Sequence, residues 1–136
     1  MQIRTCIFLL QTSLALAIAS CDSDTEPHVL QPCAGPVTVT VTPSGDAPVF
    51  NWSPACRVSR LAVFSVPGHD AEDLGTSLWR VQSSTLLVPP IQYGVVPPTA
   101  QAIPPASLLV GNVYVVIVDR DSSGVVLAEG SGTFVR

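Results

Sequence analysis

The sequence predicts an all-β protein: a single antiparallel, seven-stranded β-sandwich over residues 36–136, placed after an N-terminal apolar segment and a short polar tether. Three observations predict it. Residues 37–42 alternate strictly between valine and threonine, the period-two signature of a half-buried strand. Six further short apolar runs follow within about 100 residues, separated by turn residues, which is the spacing of a sandwich. No window carries an apolar stripe of period 3.6, and proline breaks the one stretch that could imitate it, Ala102-Ile103-Pro104-Pro105-Ala106.

Taken in order, the first strand covers 37–42 and ends in the turn chemistry of Pro43-Ser44-Gly45-Asp46. Val49-Phe50-Asn51-Trp52 forms the second, stopped by Ser53-Pro54. Residues 61–66 form the third, closed by Pro67-Gly68. Residues 77–82, with Trp79, form the fourth, and 85–88 a fifth short piece. The sixth, 112–119, is almost wholly apolar. Asp121-Ser122-Ser123-Gly124 then turns the chain into a last strand, 125–128, which Thr133-Phe134-Val135 continues. The proline-rich stretch 89–105 cannot lie in the middle of a sheet, because proline donates no ladder hydrogen bond; it belongs at an edge.

The first twenty residues are a targeting segment. Arg4 precedes two apolar runs, Cys6 to Leu10 and Leu14 to Ile18, together short for a spanning helix. The segment ends in Ile18-Ala19-Ser20-Cys21, which resembles the bacterial lipobox. That resemblance implies cleavage before Cys21, acylation of Cys21, and a domain held by its lipid at the inner or outer membrane of a bacterial cell envelope, facing the periplasm or the exterior. The tether 21–35 starts with Asp22-Ser23-Asp24-Thr25-Glu26-Pro27. The competing reading is an ordinary secretory peptide cleaved near Ala19 or Ser20, which leaves a free thiol at Cys21.

Cleavage removes Arg4 alone among the charges, leaving ten carboxylates against five arginines and no lysine. An acidic chain with no basic stripe lacks the electrostatic footprint of a nucleic-acid binder. Cys6 leaves with the signal and Cys21 takes the lipid, so Cys33 and Cys56 remain as an even pair in an oxidising compartment. One disulfide between them is expected, worth roughly 3 kcal/mol on the loop-entropy argument. A zinc site on the same two cysteines would lack its remaining ligands.

The chain from 37 to 135 also resembles a fibronectin type III or related immunoglobulin-like domain. Trp52-Ser53-Pro54 matches the second-strand tryptophan and the loop after it, and Leu108 to Val116 matches the L-x-x-G-x-x-Y-x-V segment that leads into the sixth strand. The resemblance implies that Trp52, Leu108, Tyr114, Val116 and Val118 are core. Val110 stands where the family often has proline, and Cys33–Cys56 is not a hallmark of that family. A fold-level likeness carries no activity.

Chemistry-bearing patterns are sparse. His69-Asp70-Ala71-Glu72-Asp73 gathers oxygen and nitrogen ligands in one loop, but in no established spacing. Asp119-Arg120-Asp121-Ser122-Ser123-Gly124 imitates the start of an EF-hand loop, yet its twelfth position is Gly130 and strands flank it, so a hairpin accounts for it. Gly130-Ser131-Gly132 lacks the strand-elbow-helix setting of a nucleophilic serine. The expectation is therefore a protein that is not an enzyme and holds no metal or cofactor.

Excess apolarity is more informative. With Tyr114, Val116 and Val118 facing the core, Val113, Val115 and Ile117 face the other side of the same sheet, where neighbouring strands extend the patch. The expected function is a non-catalytic binding or assembly module with a protein partner. The alternative is a module for cell-wall glycan that stacks sugars on Trp79 and Tyr93 where these are exposed. A small envelope enzyme is the third class.

Overall fold

The computed structural model describes residues 29–67 and 74–136. The targeting segment, Cys21, the start of the tether and the His69 to Asp73 loop lie outside the described residues.

The described chain forms nine strands and no helix: β1 (Gly35–Pro36), β2 (Thr38–Thr42), β3 (Val49–Ser53), β4 (Val58–Ser65), β5 (Ser77–Leu87), β6 (Ile91–Gln92), β7 (Gln101–Ile103), β8 (Val113–Ser122) and β9 (Val125–Val135). They build two facing sheets, a six-stranded one in the order β1-β9-β8-β4-β5-β7 and a three-stranded one in the order β2-β3-β6. Apart from the two-residue parallel pair of β1 with β9, all pairings between strands are antiparallel.

The strand count differs from seven for local reasons. The fourth and fifth predicted pieces are one strand, β5, whose polar middle, Gln82-Ser83-Ser84-Thr85, reads as a break in sequence. It bulges instead: Gln82 pairs with Arg60 and Leu87 with Val58, so four residues of β5 stand opposite Ser59 alone. Leu86 lies in this bulge with φ 67°. The proline-rich stretch supplies the short β6 and β7, each at a sheet edge.

β9 runs unbroken through Glu129-Gly130-Ser131-Gly132, where glycines suggest an interruption. These glycines make room for β2. A Cβ on Gly130 would overlap the Val37 carbonyl oxygen and lie 2.6 Å from Val37 Cγ2; one on Gly132 would lie 3.3 Å from Val39 Cγ1. The β8–β9 hairpin turns at Ser123 and Gly124, with φ 53° and 81°, positive at both central positions as a type I′ turn requires.

The core fills the space between the sheets. Trp79, Tyr114, Phe50, Leu61, Val63, Val81, Val116 and Val118 are fully buried, and Trp52 and Leu108 join them. Phe134 stacks on Tyr114 (centroids 5.4 Å) and tilts against Phe50 (5.7 Å), tying β9 to both sheets. The Tyr114 hydroxyl accepts from Leu109 N at 2.7 Å and donates to Leu109 O at 3.2 Å, pinning the chain just before β8.

Cys33 and Cys56 form a disulfide with Cα atoms 4.9 Å apart. Around it, Cys33 N donates to Arg57 O, Arg57 N to Gln31 O, Trp52 Nε1 to Cys56 O and Arg120 Nη1 to Cys33 O, all at 2.6–2.9 Å. The segment entering the sandwich is thus fixed against the β3–β4 loop and the base of the β8–β9 hairpin.

Candidate functional site

The outer face of the six-stranded sheet, away from the core, can be built row by row from the strand register. Glu129, Asp119, Arg60, Gln82 and Gln101 form one row across β9, β8, β4, β5 and β7. Ser131, Ile117, Ala62, Arg80 and Ile103 form the next, then Thr133, Val115, Phe64 and Ser77, and finally Val135 and Val113. The face therefore grades from a charged and amide-bearing row into an apolar band on β4 and β8.

Val113, Val115 and Ile117 do project outward, and Val115 and Ala62 stand outside the inter-sheet core cluster. Val115 is nevertheless only 5% exposed and Ala62 4%. They lie in the middle of the band, with Phe64 opposite Val115 and Ile117 opposite Ala62 in the β4–β8 register. Phe64, Val113 and Ile117 are half-buried and form the accessible surface. β9 contributes Ser131 and Thr133 beside β8, not residues 125–128 as the sequence suggests, because those lie beyond the last β4–β8 pair, Arg60 with Asp119.

At the polar end of this face the β5 bulge opens a cavity of ≈ 460 Å³, lined by Ser59, Arg60, Gln82, Ser83, Thr99, Gln101 and Asp121 among others. Hydroxyls organise one wall: Thr85 Oγ1 lies 3.0 Å from Ser83 Oγ and 2.7 Å from Thr99 Oγ1, and Thr85 N donates to Ser83 Oγ. Ser59 Oγ donates to Asp119 O and accepts from Asp121 N. Arg60 reaches back to its buried strand neighbour, with Nε and Nη2 on Asp119 Oδ2 at 2.8 and 2.7 Å; Asp119 Oδ1 is buried with no hydrogen-bond partner. This cavity leaves almost no mark in the sequence. Its one signal was the polar interruption Ser83-Ser84 between two apolar runs.

One expectation is overturned here. Trp79 and Tyr93 are no sugar platform: they are 0% and 7% exposed and pack edge to face, with centroids 5.2 Å apart. Trp79 sits on the inner face of β5 beside Val63, and Tyr93 is held by its hydroxyl, which donates to Ala106 O at 2.6 Å. Burial, and secondarily the neighbouring Tyr114, pushes the Tyr93 phenol up to about 12. The carboxylates of the EF-hand-like stretch lie in the β8–β9 hairpin, Asp119 on Arg60 and Asp121 at the hairpin base beside Ser59. Among the described residues no three His, Cys, Asp or Glu side chains converge on a metal-sized site. No protein-family model, curated protein or solved structure matches this chain.

Proposed function

We propose that the chain is a bacterial envelope lipoprotein, acylated at Cys21, whose fibronectin type III-like sandwich is a non-catalytic binding or assembly module for a protein partner. Three features support the domain type. The strand order β9-β8-β4-β5 facing β2-β3-β6 is that of the fibronectin layout, Trp52 sits in the core on the second long strand, and Tyr114 bonds back to Leu109 in the manner of a tyrosine corner. The observation that carries the function is the apolar band of Phe64, Val113 and Ile117, set on the outer sheet face apart from the core. In-cell crosslinking of the native lipoprotein, read by mass spectrometry, tests it. One abundant protein partner is expected, lost in Ile117→Glu while the melting temperature stays within a few degrees. Capture undiminished in that variant refutes the assignment of the face.

A second reading has its own observation. The cavity lined by Arg60, Gln82, Gln101 and hydroxyls offers planar amide, guanidinium and hydroxyl groups suited to a polyhydroxylated ligand such as cell-wall glycan. Gln82→Ala combined with Gln101→Ala then lowers retention on isolated cell-wall material, whereas Ile117→Glu does not.

A further inference from the structure

The tip of the β8–β9 hairpin is the free end of the sheet. The last β4–β8 register pair is Arg60 with Asp119, Ser59 Oγ still holds Asp121 N, and β1 pairs with β9 only from Ala128 on, so Ser122 to Leu127 reach past both neighbouring strands. Beyond the last neighbour both faces of a hairpin meet solvent. Three consecutive apolar residues stand there, Val125, Val126 and Leu127, at 59%, 56% and 38% exposure. An isolated exposed valine needs no explanation, but a contiguous apolar tip at the end of a rigid hairpin is a contact surface.

The tip lies at the end where the tether enters. β1 runs parallel to β9 with Gly35 opposite Ala128, so the chain before Gly35 leads back toward the hairpin, and Arg120 Nη1 holds Cys33 O there. Gln31 is bonded to Arg57, ten residues after Cys21. Ten residues reach at most about 35 Å fully stretched. β8 alone, at ten residues, is about 33 Å long. The opposite end of the sandwich, where Leu109 and Val110 are also exposed, therefore comes to a bilayer only on a tether drawn straight, whereas any slack brings the hairpin end down first.

We infer that Val125, Val126 and Leu127 form a shallow apolar knuckle that rests in the lipid surface beside the acyl anchor and sets the domain upright on the membrane. The inference rests on acylation of Cys21. The occupant is lipid and not a protein because the three contiguous apolar residues of the tip, with Val29 and Val88 exposed at the same end, lie within reach of that anchor. Arg120, Asp121 and Glu129 beside it leave one net negative charge and no cationic patch to draw in anionic headgroups, so the contact is with zwitterionic lipid and insensitive to salt.

The test uses full-length acylated protein in phosphatidylcholine vesicles with bromine-labelled acyl chains. Val126→Trp and, in a separate protein, Val110→Trp report the two ends, against Trp52 and Trp79, which are buried. The 126 reporter is expected to shift to the blue and to be quenched several-fold more than the 110 reporter; Leu127→Trp repeats the measurement if the first variant melts early. Equal quenching, or more at 110, with intact mass showing acylated Cys21, overturns the knuckle and leaves the anchor standing. Intact mass without acyl chains overturns both.

Discussion

Removing the Cys33–Cys56 bridge tests how the sandwich divides its stability between native contacts and a constrained unfolded chain. The cysteines are 23 residues apart and enclose β1, β2 and β3. Loop-closure entropy for that separation gives about 3.4 kcal/mol at 25 °C. At about 2.1 cal/mol/K per residue of unfolding entropy, the roughly 108 residues from Val29 onward lose about 0.23 kcal/mol per degree, so the melting temperature falls by about 15 °C. The native register should survive, because Cys33 N–Arg57 O, Arg57 N–Gln31 O and Arg120 Nη1–Cys33 O do not involve the sulfurs. The assay is thermal and guanidinium unfolding of the Cys33→Ser/Cys56→Ser double variant against the native protein, followed by tryptophan emission. The denaturant slope should rise as well, since an unbridged unfolded chain exposes more surface. A fall under about 5 °C with an unchanged slope would refute the entropic account, showing that the unfolded chain is compact without the bridge.

Three further perturbations separate other contributions. Gly130→Ala pushes into the Val37 backbone and should cost about 1–3 kcal/mol, while Gly132→Ala meets Val39 Cγ1 and the Val39 carbonyl oxygen no closer than 3.3 Å and should change stability by less than about 1 kcal/mol; equal effects on denaturant midpoints would contradict the closer approach of the chain at Val37 to β9. Arg60→Ala strands a buried carboxylate and should cost about 1–2 kcal/mol, given that Arg60 itself is half exposed, and the loss should shrink in an Asp119→Asn background, measured as a double-mutant cycle. Because the Tyr93 phenol titrates higher folded than unfolded, its contribution is complete below pH 10.0 and is lost as pH rises from there toward about 12; tyrosinate absorbance should show one late-titrating phenol that Tyr93→Phe removes.

What the sequence made legible follows from which signals are local. The valines of β2 alternate with exposed threonines, and Ser123-Gly124 can supply two positive φ angles, so strand and turn are written in adjacent residues. The outward direction of Val113, Val115 and Ile117 followed from parity alone. The burial of Val115 did not, since its neighbour in the register, Phe64, comes from a strand some fifty residues earlier. Gly130 and Gly132 read as breakers because their reason, the approach of β2, lies across the sandwich. Trp79 looked available because a lone aromatic in a short strand has no sequence mark for the face it takes. The β5 cavity was hidden for a related reason: bulges are defined by the partner strand, and the partner's register is invisible from Gln82-Ser83-Ser84-Thr85 itself.

Access to the sheets of this domain is set by their edges as much as by their faces. The six-stranded sheet ends on one side in β7, three residues followed by Pro104 and Pro105, and on the other in β1, two residues of which Pro36 is one. β1 covers β9 only at Ala128 and Glu129, and β7 covers β5 only from Arg80 to Gln82, so strand addition is blocked at those short stretches and not along the rest of either edge. The disulfide works in the same direction. A pull on the tether reaches Cys33 and passes through the bridge to Cys56, whose carbonyl is held by the buried Trp52 indole, before it can peel the two-residue β1 from β9. The bridge thus shields the short β1–β9 pair, while the broad face of the six-stranded sheet presents the apolar band toward one end of β8 and the polar cavity toward the other.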